Sequence, residues 1–468
     1  MARELPLTLR FWVPVVAGVA LLVRFPFLFG PHEVPLDSDD EFFLQAAARL
    51  FDGDGYPGHF WMPGYSMFEA LLVPLPGRTA DAVTIVQHLL GVGVCVGMLV
   101  VAWRWFGRVP AVVASLLAAA SPILVVQEHR LLPDFFFGVV VFAGAVALAA
   151  AVRPERPRTR LLVLAGVLFG VAVWVKAAGV FLVAAAPLAL LLVTRSPKST
   201  LRGGAVVTAA MVITISPWLA RNWERYGNPH LTVQGGQALF NRVFEEDDTP
   251  LPDDSADARF ARRVQARIPE GADLYYEFMR ASIRERGQTD DEAFHVEGQL
   301  ALQGVREHPG SYLVGTVREF GESAGYIRWS DRRYELLADL ERTDPPFPRA
   351  AIDRLWGGMR RVMDVWWVLT LLTATALIVP FAGPRERRAA GAALLSVWLC
   401  MALGTSLSNG SAWRYSIQLA PITWILATAG AGTLAGLLSG RLRARARSAA
   451  GQSTPAPARP RAAPGPAD

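Results

Sequence analysis

The chain has 468 residues, of which 52% are hydrophobic and only 19% charged, where a soluble protein carries about 25% charged residues. Of its 41 acidic residues, 25 fall within 221–362, so the rest of the chain is nearly free of negative charge. This pattern excludes an ordinary soluble globular protein, and two cysteines buried in apolar runs, Cys95 and Cys400, argue against a disulfide framework.

The net charge of +5 rests almost wholly on arginine, since lysine occurs only at Lys176 and Lys198. With abundant Ala, Val, Gly and Pro, that bias reads as genome composition rather than as nucleic-acid binding.

Charge-free runs of roughly 15–22 residues alternate with short arginine clusters, the pattern of bilayer-spanning helices. The predicted spans are 11–29, 83–103, 110–127, 135–151, 161–175, 179–193, 204–220, 363–381, 389–406 and 416–438. The first has a charged-then-apolar layout like a signal peptide, but it lacks a small-x-small cleavage site and reads as an uncleaved helix. Six arginine-bearing connections fall on one side if there are ten spans, which puts both termini in the cytoplasm.

The opposite face then receives 30–82, 128–134, a turn near Lys176, 221–362 and 407–415. Within 30–82, Asp39–Leu50 and Trp61–Pro74 are too short to span and suit interface helices. In 221–362, segments 291–307 and 310–325 repeat apolar residues at helical spacing, split by His308-Pro309-Gly310, and predict a small helical cap. The expected division is 1–220 for spans one to seven, 221–362 for the cap and 363–440 for spans eight to ten. Residues 441–468 form a basic, Pro/Ala-rich tail expected to be disordered.

Four features on the extracytoplasmic face carry chemistry. Asp37, Asp39, Asp40 and Glu41 follow span one; such carboxylates can serve as a general base, bind a metal or cap a helix. Lys176 stands between two short apolar runs, where a cation snorkels or meets an anion such as a lipid phosphate. Glu128-His129-Arg-Leu-Leu-Pro-Asp134 forms a short polar connection held near the first loop, and Asp134 could equally cap the next span. Ser411-Ala-Trp-Arg414-Tyr415 precedes the last span, where Arg414 can clasp phosphate bidentately or join an ordinary interface belt.

The order of these features resembles the GT-C glycosyltransferases, in the family 39-like branch of protein O-mannosyltransferases, the lipid A aminoarabinose transferase and bacterial polyprenyl-phosphate-sugar transferases. An acidic doublet after span one is followed by Pro63-Gly-Tyr65 opening a second short helix. Ser216-Pro-Trp-Leu-Ala-Arg-Asn222 with Tyr226-Gly-Asn-Pro229 is similar to the Pro-Trp…Arg-Asn…Gly signature closing the seventh span. His308-Pro-Gly-Ser-Tyr312 and Arg414–Pro421 look like recurring segments of the bacterial members. The layout covers roughly residues 10–435. Two departures stand out. The aromatic expected four residues after the catalytic Asp is Phe43 counted from Asp39 but Leu44 from Asp40, and the usual Pro-Pro pair is Met62-Pro63.

The resemblance implies an all-α integral membrane enzyme that moves one sugar from a polyprenyl-phosphate carrier to an extracytoplasmic glycan, lipid or protein hydroxyl, with inversion. Asp40, or failing it Asp39, would be the base; Lys176 and Arg414 would hold the donor phosphate. Glu41, Asp134, Glu128 and His129 would position substrates. No cofactor is expected, and no metal, although Asp39, Asp40 and Asp134 could bind one. The expected location is the plasma membrane. The rival functions are a transporter or flippase of lipid-linked sugars, for which paired broken-helix halves are not seen, and a non-catalytic subunit of envelope glycan assembly.

Overall fold

The structure, a computed structural model, describes residues 7–29, 38–153, 155–253, 255–269, 272–325, 371–409 and 412–452. Among these it is helical throughout, without strands. The helices are α1 (Leu7–Phe29), α2 (Ser38–Asp52), α3 (Gly64–Ala70), α4 (Thr79–Phe106), α5 (Arg108–Ala119), α6 (Pro122–His129), α7 (Pro133–Ala151) and α8 (Thr159–Val175). A 3₁₀ segment, Ala177–Ala184, leads into α9 (Ala185–Thr194), and the long α10 (Pro197–Tyr226) follows.

The cap comprises α11 (Gln234–Phe240), a π turn (Asn241–Glu246), α12 (Ala256–Gln265), α13 (Leu274–Arg286), α14 (Asp290–Glu307) and α15 (Pro309–Gly325). The chain returns through a 3₁₀ segment, Thr375–Phe381, to α16 (Arg385–Ser408), α17 (Ala412–Gln418) and α18 (Ala420–Gln452).

Among the described residues, seven helices are long and apolar enough to cross a bilayer, and the remaining predicted spans fall on shorter apolar helices: Arg108–Ala119, Thr159–Val175 and Leu371–Phe381. The predicted span 110–127 is not continuous. Pro122 has no N–H to extend a helix, so α5 stops and Ser121 accepts from Leu124 N to start α6. The basic tail is also more regular than expected. Arg and Ala are strong helix formers, and α18 runs on through 441–452 to Gln452. The first part of the predicted span at 363–381, residues 363–370, lies outside the described residues, as does 453–468.

Small residues let the spans approach closely where no hydrophobic effect drives helices together in lipid. Gly166 and Gly170, one turn apart on α8, face Ala210 and Thr214 of α10, and a Cβ at either would meet its neighbour at 2.6 Å. The cap has its own core around Phe240, Phe260, Phe278 and Leu300, separate from the bundle core. The predicted break at His308-Pro309 is the junction of α14 and α15, and α14 begins with a full capping box, Thr289 with Glu292. Tyr312, next along, donates its hydroxyl to Leu407 O and fastens α15 to the end of α16.

Candidate active site

α2 places Asp39, Asp40 and Glu41 in its first turn, where the positive end of the helix dipole favours carboxylates. Successive helical residues turn by about 100°, so the three face different ways. Asp40 is 1% exposed, Asp39 is half-buried, and Glu41 is exposed and accepts from Gln45 Nε2 at 3.0 Å. Glu41, expected to position substrate, therefore lies on the outer side of α2. The charge of Asp40 reaches Tyr65 and Glu69 of α3, whereas that of Asp39 reaches Tyr276 of the cap. Asp37 lies outside the described residues.

The Pro63-Gly64-Tyr65 opening of α3 has a packing reason. A Cβ at Gly64 would come within 2.6 Å of the Trp174 carbonyl, so only glycine lets α3 dock on the last turn of α8. That contact sets α3 beside Lys176, the residue that ends α8. Tyr65 donates to Gln87 Oε1 at 3.3 Å, and Gln87 donates to Glu128 O and Arg130 O at 3.1 and 2.9 Å.

Lys176 and Asp134, singled out separately in the sequence, meet. Lys176 Nζ donates to Asp134 Oδ1 at 2.9 Å, and Gln418 Nε2 donates to the same oxygen at 2.5 Å. The ammonium lies 4.5 Å from the ring centre of Tyr415, a cation–π distance. The segment before the last span thus reaches the Lys176 centre through Tyr415 and Gln418; the Arg414 side chain lies outside the described residues. Burial, with the charges of Glu69, Asp40 and Asp134 after it, holds the Tyr65 hydroxyl well above its usual range.

Glu128 and His129 belong to a different arrangement from the one expected. They are not in a loop but at the buried end of α6, and Glu128 is fully enclosed. Arg24 of α1 grips it bidentately, Nη2 to Oε1 at 2.5 Å and Nε to Oε2 at 2.6 Å. His88 Nδ1 lies 2.9 Å from Glu128 Oε2, and His88 Nε2 lies 3.2 Å from His129 Nδ1. A carboxylate so held ties α1, α4 and α6 together. The cause is Arg24, a cation inside an apolar span that must find an anion there.

The Ser216–Asn222 motif also proves to be a fastening. Arg221 donates to Tyr56 O at 2.8 Å and lies over the Trp218 ring, Trp218 Nε1 donates to Leu231 O, and Asn222 Nδ2 donates to His230 O. His59 Nε2 lies 2.8 Å from Asp291 Oδ1 and its ring packs on Tyr226. Together these pin the first loop between α10 and the cap. Gly227, with φ 69°, makes the left-handed turn that ends α10.

One group escaped the sequence reading: Glu69, completely buried on α3. Burial, with the nearby Asp40 charge second, holds its carboxyl well above the usual range. Its sequence signal was a lone acid in Phe68-Glu-Ala-Leu-Leu72, read only as part of a short apolar stretch suited to an interface helix. Among the described residues, no three His, Cys, Asp or Glu side chains are placed to hold a metal ion.

The fold is that of an all-helical, polytopic membrane protein, and the comparisons find its likenesses among the glycosyltransferases that the sequence resemblance pointed to. Residues 60–220 match the family described as dolichyl-phosphate-mannose-protein mannosyltransferase. Among solved structures, the archaeal oligosaccharyltransferase AglB from Archaeoglobus fulgidus, in complex with an inhibitory peptide and a dolichol-phosphate, matches with a TM-score of 0.51 at 12% identity. The match covers 97% of this chain and 52% of AglB, so the chain spans about half the length of that relative. ArnT from Cupriavidus metallidurans, bound to undecaprenyl phosphate, matches at 18% identity over 85% of this chain and 77% of its own, with a TM-score of 0.40. No curated protein sequence gave a match.

Proposed function

We propose that the protein is a membrane glycosyltransferase that moves one sugar from a polyprenyl-phosphate carrier to a hydroxyl acceptor on the outer face of the plasma membrane. The observation that carries this is a buried carboxylate, Asp40, in the first turn of α2, with α3 docked at Gly64 on the end of α8, where Lys176 pairs with Asp134. The relatives bound to undecaprenyl phosphate and dolichol-phosphate agree with a lipid-phosphate donor. Ten spans with both termini cytoplasmic put the first loop and the cap outside, where such an acceptor lies.

In this mechanism Asp40 takes the acceptor proton as its oxygen attacks C1 from the face opposite the phosphate, and the anomeric centre inverts. The phosphate leaves already negative, so a cation beside it stabilises the transition state. Lys176 supplies that charge, with Arg414 from the neighbouring helix as a second contact. Asp134 orients Lys176, and Asp39, on the side of α2 toward Tyr276, faces the acceptor. No metal takes part.

Transfer from a radiolabelled polyprenyl-phosphate sugar by the purified protein tests this directly. Asp40→Asn should bind donor normally yet lose transfer by about 100-fold or more, the scale of general base catalysis. Asp39→Asn should lose less. Near-normal turnover in Asp40→Asn would remove the base and with it the mechanism.

A further inference from the structure

α15 is built inside out. A helix in water buries its apolar face and exposes its polar one, and α12 of the cap does so: it encloses Ala258, Phe260, Ala261 and Val264 and exposes Arg259 and Arg263. On α15 the arrangement is reversed. Leu313, Val314 and Val317 are 61%, 72% and 73% exposed on one face, while Thr316, Glu319, Glu322 and Ser323 are buried on the opposite one. Two contacts fix how the helix lies. Tyr312 donates to Leu407 O at the end of α16, and the Phe320 ring packs edge-on against Trp398 with centroids 5.8 Å apart. From Tyr312 to Phe320 is about 12 Å along α15, and from Leu407 back to Trp398 is about 14 Å along α16. The two helices therefore run side by side in opposite directions, and α15 leaves the cap along the flank of α16.

We propose that α15 enters the bilayer beside α16, with Leu313, Val314 and Val317 facing lipid acyl chains. α16 carries Arg385, Arg387 and Arg388 at one end, and residues 389–408 have no charge. That stretch is about 30 Å long, the thickness of the hydrocarbon core. Trp398 lies midway along it, so Phe320 beside it is deep in the membrane rather than at its surface. Lipid also explains the reversal. Acyl chains take the apolar face, and Glu319 and Glu322 turn toward the bundle, as intramembrane acids do. Arg318 borders the apolar face and donates to Asp247 Oδ1 at 3.1 Å instead of extending into lipid. Asp247 packs on Gly315, where a Cβ would collide with its carboxylate. Gly315 is nearly one turn closer to the cap, so Arg318 reaches back toward the headgroups as a snorkelling side chain does. Arg242 of the π turn donates to Ser406 O at 3.4 Å, which sets the cap at the Ser408 end of α16. α15 thus enters from the cap's side, whichever way the chain is oriented and whether or not it transfers sugar.

Spin labels in the full-length protein, reconstituted in phosphatidylcholine vesicles, test this. With Cys95 and Cys400 replaced by alanine, a nitroxide is attached at Leu313→Cys, Val314→Cys or Val317→Cys. Gln299→Cys, on the exposed side of α14, is the aqueous reference. Relaxation by oxygen reports lipid, and relaxation by a water-soluble nickel chelate reports water. The α15 labels should respond more to oxygen than to nickel, and the Gln299 label should do the reverse. The Val317 label should read about 6 Å deeper than the Leu313 label, four residues of helical rise. α15 labels that respond to nickel as Gln299 does would leave α15 in the aqueous cap and overturn the proposal. Labels shielded from both reagents would overturn it too, since another protein segment or a second copy would then cover the face. Equal depths at Leu313 and Val317 would mean a helix lying flat on the surface, which the proposal excludes. Thermal unfolding in the same vesicles reads the contrast without labels or cysteine replacement. Val317→Asp should lower the midpoint well below that of Leu302→Asp on α14, and equal losses in the two would count against lipid at α15.

Discussion

Two groups of buried charge are recruited from adjacent residues of α4 and are built on opposite terms. Gln87 faces Tyr65 and the candidate site, while His88 faces Glu128. Around Glu128, Arg24 spans both carboxylate oxygens and also donates to Ala20 O and Ala119 O, so the charge is matched and its donors are used. On the Asp40 side the nearby buried group is a second acid, Glu69, and Lys176 donates to a different acid, Asp134. A matched buried pair holds helices in place. A buried acid with a strongly perturbed ionisation is the kind of group found more often at functional sites.

The largest expected effect tests the matched side. Arg24→Met leaves Glu128 buried without its guanidinium, and breaking such a pair costs about 3–5 kcal/mol. Thermal unfolding in detergent should therefore drop sharply, while transfer per folded molecule stays near wild type. Arg24→Met combined with Glu128→Leu should recover most of the loss, since an apolar replacement of the whole pair is close to neutral. A variant that folds normally but transfers poorly would place the Arg24 group in the chemistry and erase the distinction.

The sequence made the spans and the cap legible because their signals are local: apolar length for the spans, and helical spacing with Pro309 as punctuation for α14 and α15. Lys176 and Asp134 were legible as charges with no apolar reason to be where they are. Their meeting was not, because it depends on α7 and α8 lying side by side. Arg24 shows the opposite failure. An arginine within an apolar run announces a buried anion, yet in the sequence Arg24 passed as part of the first span, and Glu128 was read as part of a polar connection. Glu69 was hidden because a lone acid on a short interface helix normally faces water, and the docking of α3 at Gly64 is what the sequence does not show. The Pro-Trp…Arg-Asn motif carried a family resemblance, but its role in pinning the loop around Tyr56 needs the fold.

Glu297 asks whether a mismatched buried acid always signals function. It lies fully buried on α14 in the cap, and burial, with Glu245 adding repulsion, pushes its pKa up to about 9. In the unfolded chain it ionises near 4.5. Between those values the unfolded state binds fewer protons than the folded one, so stability falls as pH rises. The slope is at most about 1.4 kcal/mol per pH unit. Glu297→Gln should abolish that slope, stabilising the cap by about 2–4 kcal/mol more at pH 8 than at pH 5. Thermal unfolding at the two pH values measures it. Unchanged transfer in this variant would confine the link between mismatch and chemistry to the site around Tyr65; lost transfer would extend it to the cap.

The smallest effect concerns Lys176, which stands between the two kinds of charge group because it is both paired and proposed to bind. Lys176→Met removes a cation from the donor phosphate, which should weaken binding about tenfold, the scale of one charge-assisted hydrogen bond. It also strands Asp134, which is 3% exposed at its side chain, so the single variant mixes a binding loss with a folding loss. Asp134→Asn within Lys176→Met separates them, because Asn keeps the acceptor for Gln418 Nε2 but carries no charge to strand. Titration calorimetry with polyprenyl phosphate in detergent reads the donor affinity of each, and thermal unfolding reads the fold. If Lys176 serves the phosphate, the double variant regains stability while its donor affinity stays about tenfold weak. If Lys176 is only the counter-ion of Asp134, the double variant regains both. The Lys176–Asp134 pair would then join Arg24–Glu128 as architecture, leaving Asp40 to face a donor held by other cations.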